Sequence, residues 1–352
     1  MNIFLDTSVL YSDPFWKGNF FNELKEIVKD KEIDIYMSEI VLRELRHNYK
    51  KIIKETELQL DKANSQIEKY NIAVTEEPII DIEASMQRFD IFYKELTDEN
   101  IVTILSYSND YLPEIVDRAI ERKKPFTESK TELKDCIIWL TYCKYAEERK
   151  LKDCILLICN ISDFCDSDEA KNKNYIIHSE LAKDSDRFKV YLSPKDLIQR
   201  EKQKLQSVSQ RFDAWLKEQE FNSEFVLTIL QENFEKEITR KVEREYERLE
   251  PHDLIDDDYY VTGYVSPGFF EILEVENVGI DVFNEECIIS GDVLVRTAVE
   301  MYEYNSVRDP GEDSHRYYGE IDNIVKISFS FYYDKNEYPR NLNLDDVEIE
   351  NA

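Results

Sequence analysis

The feature that most constrains this chain is an acidic residue placed directly behind its first apolar segment. Residues 1–5 read Met-Asn-Ile-Phe-Leu, and Asp6 follows them, with Thr7 and Ser8 next. An apolar run followed by capping residues predicts a buried β-strand that turns toward a helix. Open α/β sheets bind their ligands at this carboxyl edge of the strands. A carboxylate is therefore expected at the functional edge of a sheet.

Three further acidic residues stand at comparable ends of expected elements. Glu44 lies one turn inside an expected long helix, and Asp135 opens the apolar segment 136–140. Asp163 comes just after the strongly apolar segment 154–159. Each of them alone has an ordinary explanation as a cap or as an acid that complements a helix dipole. Together, four carboxylates at the ends of separate elements match the oxygen ligands that a hard divalent cation needs.

The order of apolar segments along residues 1–195 predicts an α/β domain, with a parallel sheet and helices on both sides. Expected strands and expected helices alternate over this range, as in a parallel sheet with crossover helices. Strands are expected at 1–10, 33–37, 101–106, 154–159, 175–178 and 190–192, and helices at 20–30, 38–70, 81–97, 110–122 and 131–149.

The rest of the chain predicts two further parts, because 352 residues are too many for one ordinary core. Residues 196–250 are helical in pattern and are expected to form an arm or linker. Residues 251–352 change to alternating apolar positions, as in 293–301 and 325–333, and predict a small antiparallel β domain. This last part holds 24 Asp and Glu against 6 Lys and Arg, a net charge of −18 out of −30 for the chain.

This acidity limits the classes of function. A pI near 4.6 argues against a general, high-affinity coat for nucleic acid, because phosphate neutralisation supplies much of such affinity. No apolar run approaches the roughly 18–20 residues of a membrane span, and no leader pattern opens the chain, so a cytoplasmic protein without membrane association is expected. The six cysteines contain no Cys-x-x-Cys pair and are expected to be buried free thiols, with disulfides or zinc as the alternative.

Basic residues near Asp135 and on the long helix are the best candidates for phosphate contacts in so acidic a chain. Solvated surface charge is an equally good explanation for them. Thr7 is a candidate to hydrogen-bond a catalytic carboxylate or a phosphate, with an ordinary capping role as the alternative. The basic candidates are Arg122, Lys123, Lys124, Lys130, Lys134 and Arg43.

Four short motifs occur in order along residues 1–195, each around one of the acidic residues. They are Phe4-Leu5-Asp6-Thr7-Ser8, Ser38-x-x-Val41-Leu42-x-Glu44-Leu45, Lys124-Pro125-Phe126 followed by Lys134-Asp135-x-Ile137-Ile138-Trp139, and Ile158-x-Asn160-x-x-Asp163-Phe164. This arrangement resembles the PIN-domain family of metal-dependent nucleases, and more closely its larger PIN-like bacterial relatives.

The resemblance implies a PIN-like, Rossmann-type sheet and an endonuclease that hydrolyses phosphodiester bonds. Asp6, Glu44, Asp135 and Asp163 would hold one or two Mg²⁺ or Mn²⁺ ions that activate water. Asn160 stands where many members carry an acidic residue, and its amide would bind a metal-bound water. RNA is the favoured substrate, with single-stranded DNA as the alternative, and a role in phage defence would fit the resemblance.

The sequence fits other classes of function to different degrees. A catalytically inactive PIN-like regulator, whose acidic C-terminal domain docks a partner, stays open; that domain is expected to bind a protein, a second copy, or its own basic loop. Haloacid-dehalogenase phosphotransferases need a second acid two residues after the first, where this chain has Ser8. Glycine-rich phosphate loops are excluded because Gly18 is the only glycine before residue 251, and four histidines offer no set for a serine or cysteine hydrolase.

Overall fold

The protein folds as two compact units, Met1–Glu201 and Lys202–Ala352, in a computed structural model. The first unit contains a five-stranded sheet and the second a four-stranded sheet. The prediction of a parallel α/β fold and a separate antiparallel β domain is confirmed. The structure describes residues 1–29, 33–74, 79–127, 132–171, 174–205, 215–216, 221–255, 261–283, 286–307, 313–336 and 338–350.

Strands and helices alternate along the first unit, as the apolar pattern predicts. Its strands are β1 (Asn2–Leu5), β2 (Asp34–Ser38), β3 (Val102–Leu105), β4 (Cys154–Leu157) and β5 (Phe188–Tyr191). Its helices are α1 (Thr7–Leu10), α2 (Asn19–Lys29), α3 (Glu39–Tyr70), α4 (Ile82–Asp98), α5 (Leu112–Glu121), α6 (Leu133–Glu148), α7 (Ser167–Lys171) and α8 (Pro194–Arg200), with a 3₁₀ turn at Asn109–Tyr111.

The strands of the first unit are all parallel and lie in the order β3-β2-β1-β4-β5. In chain order, β2 and β3 therefore lie on one side of β1, and β4 and β5 lie on the other side. Every side chain of β1 and β4 is buried, as expected for a parallel sheet covered on both faces. The neighbours β1 and β4 meet where the direction of building reverses, and open sheets of this kind bind ligands at that crevice.

Two segments of the first unit differ from the sequence-based expectation. The strand expected over residues 1–10 ends at Leu5, because Asp6 adopts an extended conformation and caps α1. The strand expected at 175–178 forms only an isolated bridge between Ile177 and Cys165. Its backbone pairs with the segment after β4, where the Asp166 N–H donates to the Ile176 carbonyl, and it does not join the edge of the sheet.

The second unit is an antiparallel meander with one long helix. Its strands follow in sequence order as β6 (Gly263–Phe283), β7 (Glu286–Tyr304), β8 (His315–Asp334) and β9 (Arg340–Glu350). Helices α9 (Lys202–Leu205), α10 (Ser223–Tyr246) and α11 (Pro251–Leu254) precede the sheet.

The core of the second unit lies between α10 and one face of the sheet. Apolar residues recur every three or four positions along α10, and they pack on alternate residues of the strands. The three-part division of the chain stays a prediction, but α10 belongs to the expected arm and shares its core with the expected β domain. The helix contributes Val226, Leu230, Phe234, Ile238 and Val242, and the sheet contributes Val293, Val295, Val299, Val325, Ile327, Phe329 and Phe331.

All six cysteines lie in described segments and are free thiols. Five of them are buried, while Cys159 is exposed just after β4. The expected burial therefore fails at Cys159. Within the described segments, no helix is both long enough and apolar enough to cross a membrane.

The shared core predicts where the chain can be cut. Fragment 1–201 keeps the whole first unit, so we expect one cooperative thermal transition followed by circular dichroism. Fragment 1–250 adds α10 without its sheet and exposes five large apolar side chains, each worth about 1.5–3 kcal/mol when buried. We expect this longer fragment to bind a hydrophobic dye and to aggregate. Equal solubility and cooperativity of the two fragments would contradict the shared core.

Candidate metal centre

Asp6 lies buried at the end of β1, with a side chain that faces other acids. Its Oδ2 accepts hydrogen bonds from the Ser8 backbone N–H at 2.8 Å and from the Ser8 hydroxyl at 2.6 Å. Burial raises the pKa of Asp6 above its usual value, the Ser8 hydrogen bonds oppose this rise, and the charge of Glu44 adds to it. A carboxylate in this setting is stabilised by a nearby cation.

Ser8 joins the ends of β1 and β4. While its hydroxyl donates to Asp6, the same oxygen accepts from the N–H groups of Cys159 and Asn160, at 2.9 and 3.2 Å. These bonds fix the segment that follows β4 in relation to Asp6. Sequence reasoning considered Ser8 only as the absence of a second acid. A serine two residues after a capping aspartate is the local signal that was missed.

Tyr142 performs a similar role for β1 and β2. This side chain of α6 is fully buried, and its hydroxyl donates to the Leu5 carbonyl at 2.5 Å and accepts from the Ser38 N–H at 2.9 Å. Ser38 in turn caps α3, whose second turn carries Glu44. One hydroxyl therefore holds together the strand ends that carry Asp6 and Glu44. Nothing in the local sequence around Tyr142 indicates this role.

Both oxygens of Glu44 are engaged by its neighbours. The Thr7 hydroxyl donates to Oε2 at 3.0 Å, and the Lys134 ammonium forms an ion pair with Oε1. Thr7 therefore contacts a candidate ligand, which is one of the two roles expected for it. Lys134 contacts a carboxylate in the structure, and its expected contact with phosphate stays a prediction.

Asp163 lies buried just after β4, within a small hydrogen-bonded group. The Asn160 amide donates to its Oδ2 at 2.5 Å, and the Ser162 hydroxyl lies 3.2 Å from Oδ1 and 2.8 Å from the Asn160 side-chain oxygen. In the structure Asn160 orients Asp163. The expected contact of Asn160 with a metal-bound water stays a prediction.

Three carboxylates come within reach of a single ion at this edge of the sheet. One oxygen each from Glu132, Asp135 and Asp163 lie within 4.8 Å of one another. Oxygens at that spacing can contact one cation at the ~2.0–2.6 Å typical of magnesium and calcium sites. Glu132 is absent from the sequence prediction. Its place three residues before Asp135, at a helix N-terminus, is the signal that would have found it.

The pKa of Asp135 indicates that these residues suit a cation. The pKa of Asp135 is raised to about 8, mainly by burial and then by a side-chain hydrogen bond with Glu132 and the charges of Asp6, Glu132 and Asp163. A divalent cation held by these carboxylates would neutralise the charge that raises the pKa of Asp135, so the donor set fits a hard metal ion.

The remaining basic candidates that the structure describes have different partners. Lys124 donates through Nζ to the Ser162 carbonyl at 2.7 Å and supports the segment that holds Asp163. Lys123 pairs with Glu121, Arg43 lies 3.6 Å from Glu39, and Arg122 ends α5 in a left-handed conformation. Lys130 lies outside the described residues. Substrate contacts by this set stay a prediction.

The comparison with protein families matches this geometry. Residues 3–164 match the family described as the PIN domain. Over this range the chain is similar to PIN domains. The match includes Asp6, Glu44, Asp135 and Asp163 and ends within the segment after β4. PIN domains are typically nucleases that use divalent metals, which supports a hydrolase acting on nucleic acid. Searches of curated proteins and of solved structures found no match.

The raised pKa of Asp135 predicts how stability changes with pH in metal-free protein. A carboxyl that binds its proton more tightly when folded stabilises the fold fully below its unfolded pKa of about 4, and this contribution is lost as pH rises toward 8. Asp135→Asn stays neutral, so we expect its stability relative to the wild type to increase from pH 5 to pH 8 by about 1 kcal/mol or more.

Urea unfolding with EDTA at several pH values in this range measures the difference. Asp98→Asn, which changes an exposed acid at the end of α4, is the matched control and should follow the wild type. Parallel stability curves for wild type and Asp135→Asn would show that Asp135 is ionised throughout.

Proposed function

We propose that the PIN domain is a metal-dependent endonuclease that hydrolyses phosphodiester bonds in RNA with Mg²⁺ or Mn²⁺. The observation that carries this proposal is the convergence of the Glu132, Asp135 and Asp163 carboxylates within 4.8 Å, at the carboxyl edge of a parallel sheet. Asp6 lies close enough for its charge to contribute to the raised pKa of Asp135. Hard oxygen ligands favour magnesium or manganese over softer metals.

The proposal gives each side chain a defined task. Glu132, Asp135 and Asp163 would hold the ion. The Asp6 carboxylate, at the end of β1, would be stabilised by the positive charge of that ion. Ser8 and Asn160 orient two of these carboxylates through the hydrogen bonds described above. When bound, a hard divalent ion generates a nucleophile from water and stabilises the negative charge that develops on the phosphate. A bound cation would favour the ionised form of Asp135.

RNA is the proposed substrate, and single-stranded DNA is the alternative that the same experiment tests. A carboxylate and metal mechanism needs no 2′-hydroxyl, so the chemistry accepts both polymers. If the PIN domain distinguishes RNA from single-stranded DNA, it must therefore do so through contacts away from the reacting bond. The candidates for those contacts among the described basic residues are Arg43, Arg122, Lys123, Lys124 and Lys134.

Circular RNA and circular single-stranded DNA of one sequence give the sharpest test, because only an endonuclease opens them. We expect cleavage of the RNA with Mn²⁺ or Mg²⁺ and none with EDTA. Glu132→Gln and Asp135→Asn should each reduce the rate by about 100-fold or more, since bound metal supplies several kcal/mol and each 1.36 kcal/mol is tenfold.

Asp98→Asn, remote from the site, should cleave at the wild-type rate. Cleavage that survives EDTA, or that is undiminished in Asp135→Asn, would contradict the proposed centre. A protein that binds Mn²⁺ but opens neither polymer would favour the catalytically inactive regulator.

We infer a second role, the docking of a basic protein segment, for the acidic C-terminal unit. Tyr264, Tyr302 and Tyr317 are directly opposite one another on β6, β7 and β8 and form a tyrosine row. The first two rings stack at 4.8 Å, and the third meets Tyr302 edge-on at 5.9 Å. Tyr302 alternates with the buried Met301, so the row lies on the face away from α10.

The negative charge around this tyrosine row indicates which kind of partner it can bind. Glu300 and Glu320 are opposite each other in the next row of the same face, and residues 251–352 carry a net charge of −18. Arginine stacks on tyrosine rings and pairs with carboxylates, so an arginine-rich segment fits both features. A second copy of this unit, or a nucleic acid, brings further negative charge and is disfavoured.

A synthetic arginine-rich peptide tests the tyrosine row in the full-length protein. Tyr302→Leu keeps the charge and removes a ring, so we expect binding to weaken about 2–5-fold, the equivalent of one exposed cation–π contact. Tyr338→Leu, at an exposed tyrosine outside the row, should bind like the wild type. Equal titration curves for Tyr302→Leu and the wild type would leave only diffuse charge attraction and remove the row as a site.

A further inference from the structure

The Lys134 ammonium stands among the acidic residues of the metal centre, where a positive charge has a specific use. Lys134 directly precedes Asp135 in the first turn of α6, and it pairs across to Glu44 in α3. Glu44 Oε2 is held by the Thr7 hydroxyl at 3.0 Å. The ammonium and the hydroxyl together occupy both oxygens of this carboxylate.

The acid of this ion pair is more enclosed than the acids of two surface pairs of the chain, while the Lys134 side chain is 57% exposed. The Glu44 side chain is only 20% exposed, whereas the acids paired with Lys29 and Lys51 are 63% and 56% exposed. Exposed pairs of that kind contribute little to stability. A pair whose acid is mostly enclosed and hydrogen-bonded by a second group is an organised part of the site.

The carboxylates of the centre therefore form two groups. Glu132, Asp135 and Asp163 approach one another closely enough for one ion, and Glu44 lies outside that set with its own cation. Asp6 interacts with both groups, since the charge of Glu44 acts on Asp6 and the charge of Asp6 acts on Asp135. Metal nucleases with two ions place them about 3.5–4 Å apart to stabilise both the attacking and the leaving oxygen.

We propose that the Lys134 ammonium takes the place of a second divalent ion at Glu44, so that the centre binds one metal ion. This inference rests on the proposed nuclease function. An ammonium is a compact point charge with three donors, so it can neutralise Glu44 and still face a phosphate oxygen. Lys134 is then both the partner of Glu44 and the fixed positive charge beside the single ion.

Counting bound Mn²⁺ tests this assignment without any nuclease assay. The signal of free Mn²⁺ in electron paramagnetic resonance disappears on binding, and titration of the full-length protein gives the number of ions bound. The chain carries a net charge of −30, so weak surface binding is common to every variant. The readout is therefore the difference between variants at equal Mn²⁺ concentration.

We expect Asp135→Asn to lose one tight equivalent relative to the wild type. Lys134→Gln should gain one equivalent, and adding Glu44→Gln to it should remove that gain. Lys134→Arg keeps the charge and should match the wild type. Lys144→Gln removes a charge from an exposed position on the same helix and should also match it. Thermal denaturation checks that each variant is folded.

Two results would overturn the inference and leave the proposed nuclease intact. One is a wild type that binds two ions dependent on Asp135, and the other is Lys134→Gln with unchanged stoichiometry. A wild type whose Mn²⁺ binding does not change with Asp135→Asn would instead overturn the proposed metal centre, and the role of Lys134 with it.

Discussion

The first unit depends on how mutual repulsion among carboxylates at one edge of its sheet is neutralised. Ionised carboxylates removed from water need partners, because the loss of hydration is costly. The protein supplies two kinds of partner: hydroxyl and backbone N–H donors from Ser8 to Asp6, and the Lys134 ammonium to Glu44. Asp135 lies beside Glu132 and Asp163, and burial and these neighbouring acids raise its pKa. A divalent cation would therefore relieve most repulsion at these three carboxylates.

The sequence predicted those parts of the site that depend on local position. Asp6 and Asp163 follow apolar strands, and strand ends meet at one edge in any parallel sheet, so the prediction that they lie at this edge needs no knowledge of packing. Glu132 precedes Asp135 and so lies outside the apolar segment by which the sequence indicates Asp135. Ser8 and Tyr142 form hydrogen bonds with partners that are distant in the sequence. Such contacts are fixed only when the strand order is known. Their absence from the prediction has a tertiary cause.

The second unit shows the same limit at the level of the fold. Alternation along residues 293–301 and 325–333 predicted two strands, and those residues do form the buried face of β7 and β8. The helical period of residues 223–246 predicted an apolar stripe but not the surface that covers it. An amphipathic helix looks alike whether it connects two domains or lies on a sheet. Only the packing shows that α10 completes the core of the β unit.

The distribution of charge constrains how such a nuclease meets its substrate. Residues 1–250 hold 39 Lys and Arg against 51 Asp and Glu, and the remainder adds a net charge of −18. Both parts repel a polyanion at distances shorter than the Debye length, about 8 Å at physiological salt. Attraction would then be confined to the proposed metal centre and to local groups of basic residues, which favours contacts with the reacting phosphate over contacts with the rest of the polymer.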